Sequence, residues 1–131
     1  MLIKHWLSNR RRNHQVALIL SAILASIIGY FTLTPSSANF FTGSDKLGHL
    51  LGFTVLMIPG AFLYRHALYW LFPSAIAFGG AIELIQPYVN RQAELADFGA
   101  DIAGALLGML IGLVVRYFFH LGTLNTPSDA S

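Results

Sequence analysis

Eight polar residues carry what chemistry this sequence can do: Asp45, Lys46, His49, Glu83, Gln86, Arg91, Asp97 and Asp101. An imidazole and a carboxylate can exchange a proton near neutral pH, so His49 and Glu83 are the candidates for general acid–base catalysis. Lys46 and Arg91 can hold a phosphate or carboxylate headgroup, with Asp45, Glu83 and Asp97 orienting the two cations. Gln86 and Asp101 complete the candidate ligand-binding set. With Glu94 included, five acids face two bases, a formal −3 with His49 neutral. Protonation, salt bridges or a bound cation can offset such a charge. A hard divalent cation suits carboxylate oxygens, with or without His49. The Glu-x-x-His spacing of di-metal bundles is absent, however, and two basic residues compete for the same acids, so no metal ligand and no other cofactor is assigned. The sequence contains no serine elbow, phosphate-binding glycine loop or metalloprotease signature. With no cysteine, there is no thiol nucleophile and no disulfide framework.

The elements that must position these residues are apolar. Hydrophobic residues make up 55% of the 131 and charged residues 11%, far from globular usage. The chain is read as all-α, a polytopic membrane protein built as a four-transmembrane-helix bundle in a single domain, 1–131. Four apolar stretches, Val16 to Leu33, Leu47 to Tyr64, Ala67 to Ile85 and Ile102 to Phe119, each approach the roughly 20 residues that cross about 30 Å of hydrocarbon. Pro59 and Pro73 fall inside the second and third, where kinks are expected. Thr34 to Lys46, Arg65 with His66, and Gln86 to Ala100 read as connections. The first eleven or so residues, with Trp6 and Arg10 to Arg12, read as an interfacial lead-in, and 121–131 as a disordered tail. No internal repeat is visible.

Basic residues favour the cytoplasmic side of a membrane. An inside N-terminus puts Lys4, Arg10, Arg11, Arg12, Arg65 and Arg116 on that face, leaves only Lys46 and Arg91 outside, and makes both termini cytoplasmic. The alternative, a signal peptide cleaved after Ser36, Ser37 and Ala38, is opposed by an apolar run longer than the usual h-region. In this topology five of the six acids, Asp45, Glu83, Glu94, Asp97 and Asp101, gather at the outer end of the bundle. At about 100° per residue, Asp97, Asp101, Gly104, Gly108 and Gly112 share an arc of about 80°. A ridge of small residues lets helices approach closely, so this face packs against protein, within the bundle or between protomers, and carries the aspartates inward. Asp45, Gly48, His49 and Gly52 share a face of the second span, and Glu83 and Gln86 flank Gly79 and Gly80 on the third.

Each residue also has a plain structural role to weigh. Ser44 or Asp45 can cap a helix, and Asp97 can sit at the positive end of the fourth. Lys46 can snorkel, Arg91 can be a loop charge, and His49 can be a hydrogen-bonded packing residue. Glu83 and Asp101 resist such readings, because carboxylates about a turn inside a span are expensive in lipid and mark functional sites. Trp6, Tyr64, Tyr69, Trp70, Tyr88, Tyr117 and Phe118 read as interfacial aromatic belts.

The succession Asp45-Lys46-x-x-His49, Glu83-x-x-Gln86, Arg91, Asp97 and a small-residue fourth helix resembles the VanZ-like family of small bacterial membrane proteins, named for a protein associated with teicoplanin resistance. The resemblance runs from about residue 44 to 112. The position of Asp101 is commonly Asn in that family, so an acid there is a departure and no family role is carried onto it. The resemblance implies a bacterial cytoplasmic-membrane protein but supplies no mechanism. Three functions are therefore expected in order: binding of a lipid-linked or cell-wall-related ligand at an outward polar pocket, with influence on glycopeptide susceptibility; a membrane-embedded hydrolase or transferase on a phospholipid or polyprenyl-phosphate headgroup; and a structural or partner-binding subunit. The expected partners are the lipid bilayer and an envelope precursor, with no role for nucleic acid.

Overall fold

The computed structural model describes residues 9–35 and 45–124, with side chains as far as Phe119. Four α-helices account for most of them: α1, Arg10–Leu33; α2, Asp45–Leu63; α3, Leu68–Ile85; and α4, Leu95–Leu124. Single 3₁₀ turns, Arg65–Ala67 and Gln86–Val89, lead into α3 and out of it. All four helices are long and apolar enough to cross a membrane. They form a four-helix bundle, which makes the chain a multi-pass membrane protein by length and composition. Lys4, Trp6, the proposed cleavage region at 36–38, Ser44 and the tail beyond 124 lie outside the described residues.

Three expectations about boundaries are corrected. Arg10, Arg11 and Arg12 are not a lead-in but the first turn of α1, whose start is fixed by the Asn9 side chain accepting from the Arg12 amide at 3.1 Å. The fourth helix begins at Leu95 rather than Ile102, so Asp97 and Asp101 are helical and the loop expected over Gln86 to Ala100 shrinks to a turn. At its other end α4 continues through Leu124, so 121–124 is helix where a disordered tail was expected. Both shifts at α4 share one cause: hydropathy marks where a helix meets lipid, whereas α4 has 30 residues and a length of about 45 Å, well beyond the hydrocarbon thickness of about 30 Å.

The helices alternate in direction, so α2 and α4 run parallel. Their contact is the most extensive in the molecule, and the glycine ridge explains it. A methyl group on Gly104 would overlap the Leu50 carbonyl oxygen, and one on Gly108 the Thr54 carbonyl oxygen. At Gly112 it would come within 2.5 Å of the Ala61 side chain. The ridge is thus occupied by the chain's own second helix, and it is used inside the bundle. Phe53, Leu56 and Met57 of α2, Leu71, Ala75 and Ile82 of α3 and Ala105 of α4 make the apolar core, with Leu24 and Ile28 of α1 packed against it. Ile19, Ile23, Leu110 and Val114 face outward, as apolar residues do where the surrounding solvent is lipid. Pro59 and Pro73 lie inside α2 and α3, each depriving the carbonyl four residues earlier, Val55 and Tyr69, of its helical donor.

At one end of the bundle His14 of α1 packs on Tyr64 and Trp70, with ring centroids 4.9 and 6.3 Å apart. There Arg116 of α4 donates to the Phe62 and Leu63 carbonyls at 2.7 and 3.2 Å, satisfying two of the acceptors left over at the end of α2. This is the arginine-rich end. The acids lie at the other.

Candidate functional site at the acidic end of the bundle

Both parallel helices begin at the acidic end, and each carries an aspartate in its first turn, Asp45 on α2 and Asp97 on α4. Carboxylates are favoured there by the positive end of the helix dipole. One turn further in, α2 presents His49 and α4 presents Asp101, about 6 Å and 9 Å along their axes. From α3 come Glu83, near its last residue, and Gln86 in the following turn. Asn90 then adopts φ 58°, and the Arg91 amide donates back to the Gln86 carbonyl at 3.0 Å. This left-handed residue, a conformation that asparagine tolerates better than most, turns Arg91 back over the site.

The polar groups fall into two layers. In the outer layer the Lys46 ammonium donates to Glu94 at 2.6 Å and lies 3.6 Å from Asp97. Arg91 pairs with Asp45 and donates to the Phe31 carbonyl at the end of α1, at 3.4 Å. Gln86 reaches the neighbouring Thr32 carbonyl, also at 3.4 Å. The two bases expected to hold an anionic headgroup are thus both engaged by acids of the chain itself. Lys46 keeps nearly half of its side chain exposed, against 11% for Arg91, so Lys46 is the more open of the two cations and Arg91 is a clamp joining α1, α2 and the α3–α4 turn.

The inner layer is more deeply buried. His49 and Asp101 are 1% and 0% exposed, with His49 Nδ1 2.8 Å from Asp101 Oδ1. Glu83 accepts from the Glu94 amide at 2.8 Å through Oε2. His49 Nε2, Glu83 Oε1, Gln86 Oε1, Asp97 Oδ1 and Asp101 Oδ2 are all buried without a hydrogen-bond partner. Native interiors leave few such atoms, and each needs an explanation. Two overlapping groups have one donor atom per residue within 4.8 Å of one another: Asp45, His49 and Asp97, and His49, Glu83 and Asp101.

The convergence expected of Asp45, Lys46, His49, Glu83, Gln86, Arg91, Asp97 and Asp101 is present at one end of the bundle. Within it the carboxylate hydrogen-bonded to His49 is that of Asp101, while Glu83 accepts from the Glu94 amide. The inward direction deduced for Asp97 and Asp101 from the glycine face holds, since both are buried. Glu94, counted among the five converging acids but not among the ligand-binding residues, pairs with Lys46 through its side chain and with Glu83 through its amide. The Phe31 and Thr32 carbonyls left no sequence signal at all, because any residue type provides a main-chain acceptor.

Compared with protein-family models, with curated proteins and with solved structures, the chain matches none.

Proposed function

We propose that this is a VanZ-like integral membrane protein of the bacterial cytoplasmic membrane that binds the headgroup of a lipid-linked or cell-wall-related ligand at the acidic end of its bundle. One observation carries the reading: polar side chains from three helices are buried together at one end of a bundle whose flanks are apolar, and several of their atoms have no partner within the protein. Each unpaired buried group costs about 1–3 kcal/mol, and because most of these atoms are acceptors the ligand that satisfies them presents hydroxyl or amine donors as well as its anionic group. Lys46, exposed at the rim, is the first contact for an anionic headgroup. The cluster Arg10, Arg11, Arg12, Arg65 and Arg116 at the opposite end supports cytoplasmic termini and an outward-facing site.

Native mass spectrometry of detergent-purified protein tests this. A co-purifying phosphate- or carboxylate-bearing lipid, lost in Lys46→Ala, is the expected result; a delipidated chain with no retained headgroup overturns the reading. An influence on teicoplanin susceptibility belongs to the same proposal, and the inhibitory concentration in cells expressing Lys46→Ala measures it.

A membrane-embedded hydrolase or transferase is the second reading, favoured by the His49–Asp101 pair. A carboxylate on Nδ1 holds the imidazole in the tautomer whose Nε2 can accept a proton, the arrangement used by general bases. In that case His49→Gln abolishes turnover of a purified polyprenyl-phosphate or phospholipid while leaving its binding intact.

A further inference from the structure

We propose that His49, Glu83 and Asp101 form a binding site for one divalent transition-metal ion. The three residues come from α2, α3 and α4, and one donor atom from each lies within 4.8 Å of the others. His49 and Asp101 are almost completely buried. Asp101 Oδ2 and Glu83 Oε1 are both shielded from solvent and lack any hydrogen-bond partner. Asp101 Oδ2 is aimed at the face of α3 that carries Glu83: a methyl group on Gly79, one turn before Glu83, would stand 2.6 Å from that oxygen. Glycine at 79 therefore keeps space for a carboxylate that is held by His49 through Oδ1 and whose Oδ2 has no partner in the protein.

Charge points the same way. Lys46 and Arg91 form their salt bridges with Glu94, Asp97 and Asp45, and among the described residues neither Glu83 nor Asp101 has a lysine or arginine in salt-bridge contact. The competition that argued against a metal from sequence is thereby confined to the outer layer. With the imidazole neutral and both carboxylates ionised the trio carries −2, two of its three members being almost fully buried, where uncompensated charge is expensive. A divalent ion brings that to zero. A monovalent ion would leave −1.

One edge of the site already has nearly the spacing an ion needs, and the third ligand atom lies within 4.8 Å of it. Metal–nitrogen and metal–oxygen bonds of about 2.0–2.2 Å put neighbouring ligand atoms about 2.8–3.1 Å apart in an octahedral arrangement and about 3.3–3.6 Å apart in a tetrahedral one. His49 Nδ1 and Asp101 Oδ1 stand at 2.8 Å, so an ion takes that edge when the imidazole proton moves from Nδ1 to Nε2, which keeps the ring neutral, and in the octahedral case the edge opens by at most a few tenths of an ångström. A mixed imidazole–carboxylate donor set suits Mn²⁺, Fe²⁺ or Zn²⁺ better than Mg²⁺ or Ca²⁺, which prefer oxygen alone. The site draws on some of the same unpartnered atoms as headgroup binding, but a titration with Mn²⁺ alone lets either proposal fail without the other.

Full-length protein purified in detergent, stripped with chelator and titrated with Mn²⁺ alone tests the assignment. One Mn²⁺ per chain is expected, with nitrogen hyperfine coupling from His49 in the electron spin-echo spectrum and displacement by Zn²⁺ but not by equimolar Mg²⁺. Glu83→Gln and Asp101→Asn should each weaken binding by about tenfold or more. Glu83 is only partly buried and its replacement is isosteric, so Glu83→Gln keeps the test valid if Asp101→Asn fails to fold. Absence of stoichiometric Mn²⁺, absence of nitrogen coupling, or wild-type affinity in Glu83→Gln overturns the proposal. So does loss of the ion in Asp45→Asn with retention in Glu83→Gln, which would move the ion to the neighbouring group of acids.

Discussion

Arg91 shows how one residue of the α3–α4 turn can hold several elements. It pairs with Asp45 at the start of α2, caps the end of α1 through the Phe31 carbonyl, and is itself oriented by the left-handed Asn90. Hydrogen bonds involving a charged group contribute about 1.5–3 kcal/mol each when partly buried. Arg91→Ala is therefore expected to destabilise the protein by about that amount, read as a lowered midpoint in detergent thermal unfolding. Arg91→Lys should recover only part of the loss, because an ammonium cannot present the planar fork that reaches two acceptors in fixed directions. Arg116→Ala should be costly in the same assay, leaving the Phe62 and Leu63 carbonyls without their donor. Residue types and helical faces were readable from the sequence at this scale, but partners were not. That His49 would meet Asp101 and not Glu83 depends on the axial register of α2 against α4, which the Leu50 and Thr54 carbonyls set by seating on Gly104 and Gly108.

Helices in lipid gain nothing from burying apolar surface against one another, so close backbone packing must substitute for the hydrophobic effect. The α2–α4 pair does this through its glycines, and a sharp contrast follows. Gly108→Ala places a methyl against the backbone of Thr54, which cannot rotate away, and overpacking of this kind costs about 1–3 kcal/mol. Gly99→Ala meets nothing within 4 Å and should be neutral or stabilising by up to about 1 kcal/mol, alanine being the better helix former. Thermal unfolding of the two variants side by side checks both signs. The existence and order of the four helices were legible because continuous apolar runs of this length have few other uses. The start of α4 was not. Glu94, Asp97 and Asp101 resemble a loop in hydropathy, and only the presence of α2 and α3 beside them makes a helix with a polar first two turns tolerable. The period of Asp97, Asp101, Gly104, Gly108 and Gly112 held the better information, since it continues one stripe across the boundary that hydropathy drew.

For the molecule as a whole, charge separates the two ends: arginines at one, acids and their two bases at the other. Four alternating spans put Asn9 and Leu124 on the same side, the one bearing Arg10, Arg11, Arg12, Arg65 and Arg116. A fluorescent protein fused after the C-terminus is expected to mature, and alkaline phosphatase fused there to remain inactive. The opposite pair of results would invert the topology and turn the candidate site toward the cytoplasm.

The parallel packing of α2 on α4 has a consequence for how the chain is made. These helices are not neighbours in sequence, and α4 is complete only roughly 60 residues after α2 has left the ribosome, an interval of roughly 3–12 s at ordinary elongation rates. Throughout that interval the groove along Leu50, Thr54 and Ile58 has no glycines to fill it, and His49 has no aspartate. A ribosome arrested before Leu95 would leave three of the four helices without Asp101 to pair with His49.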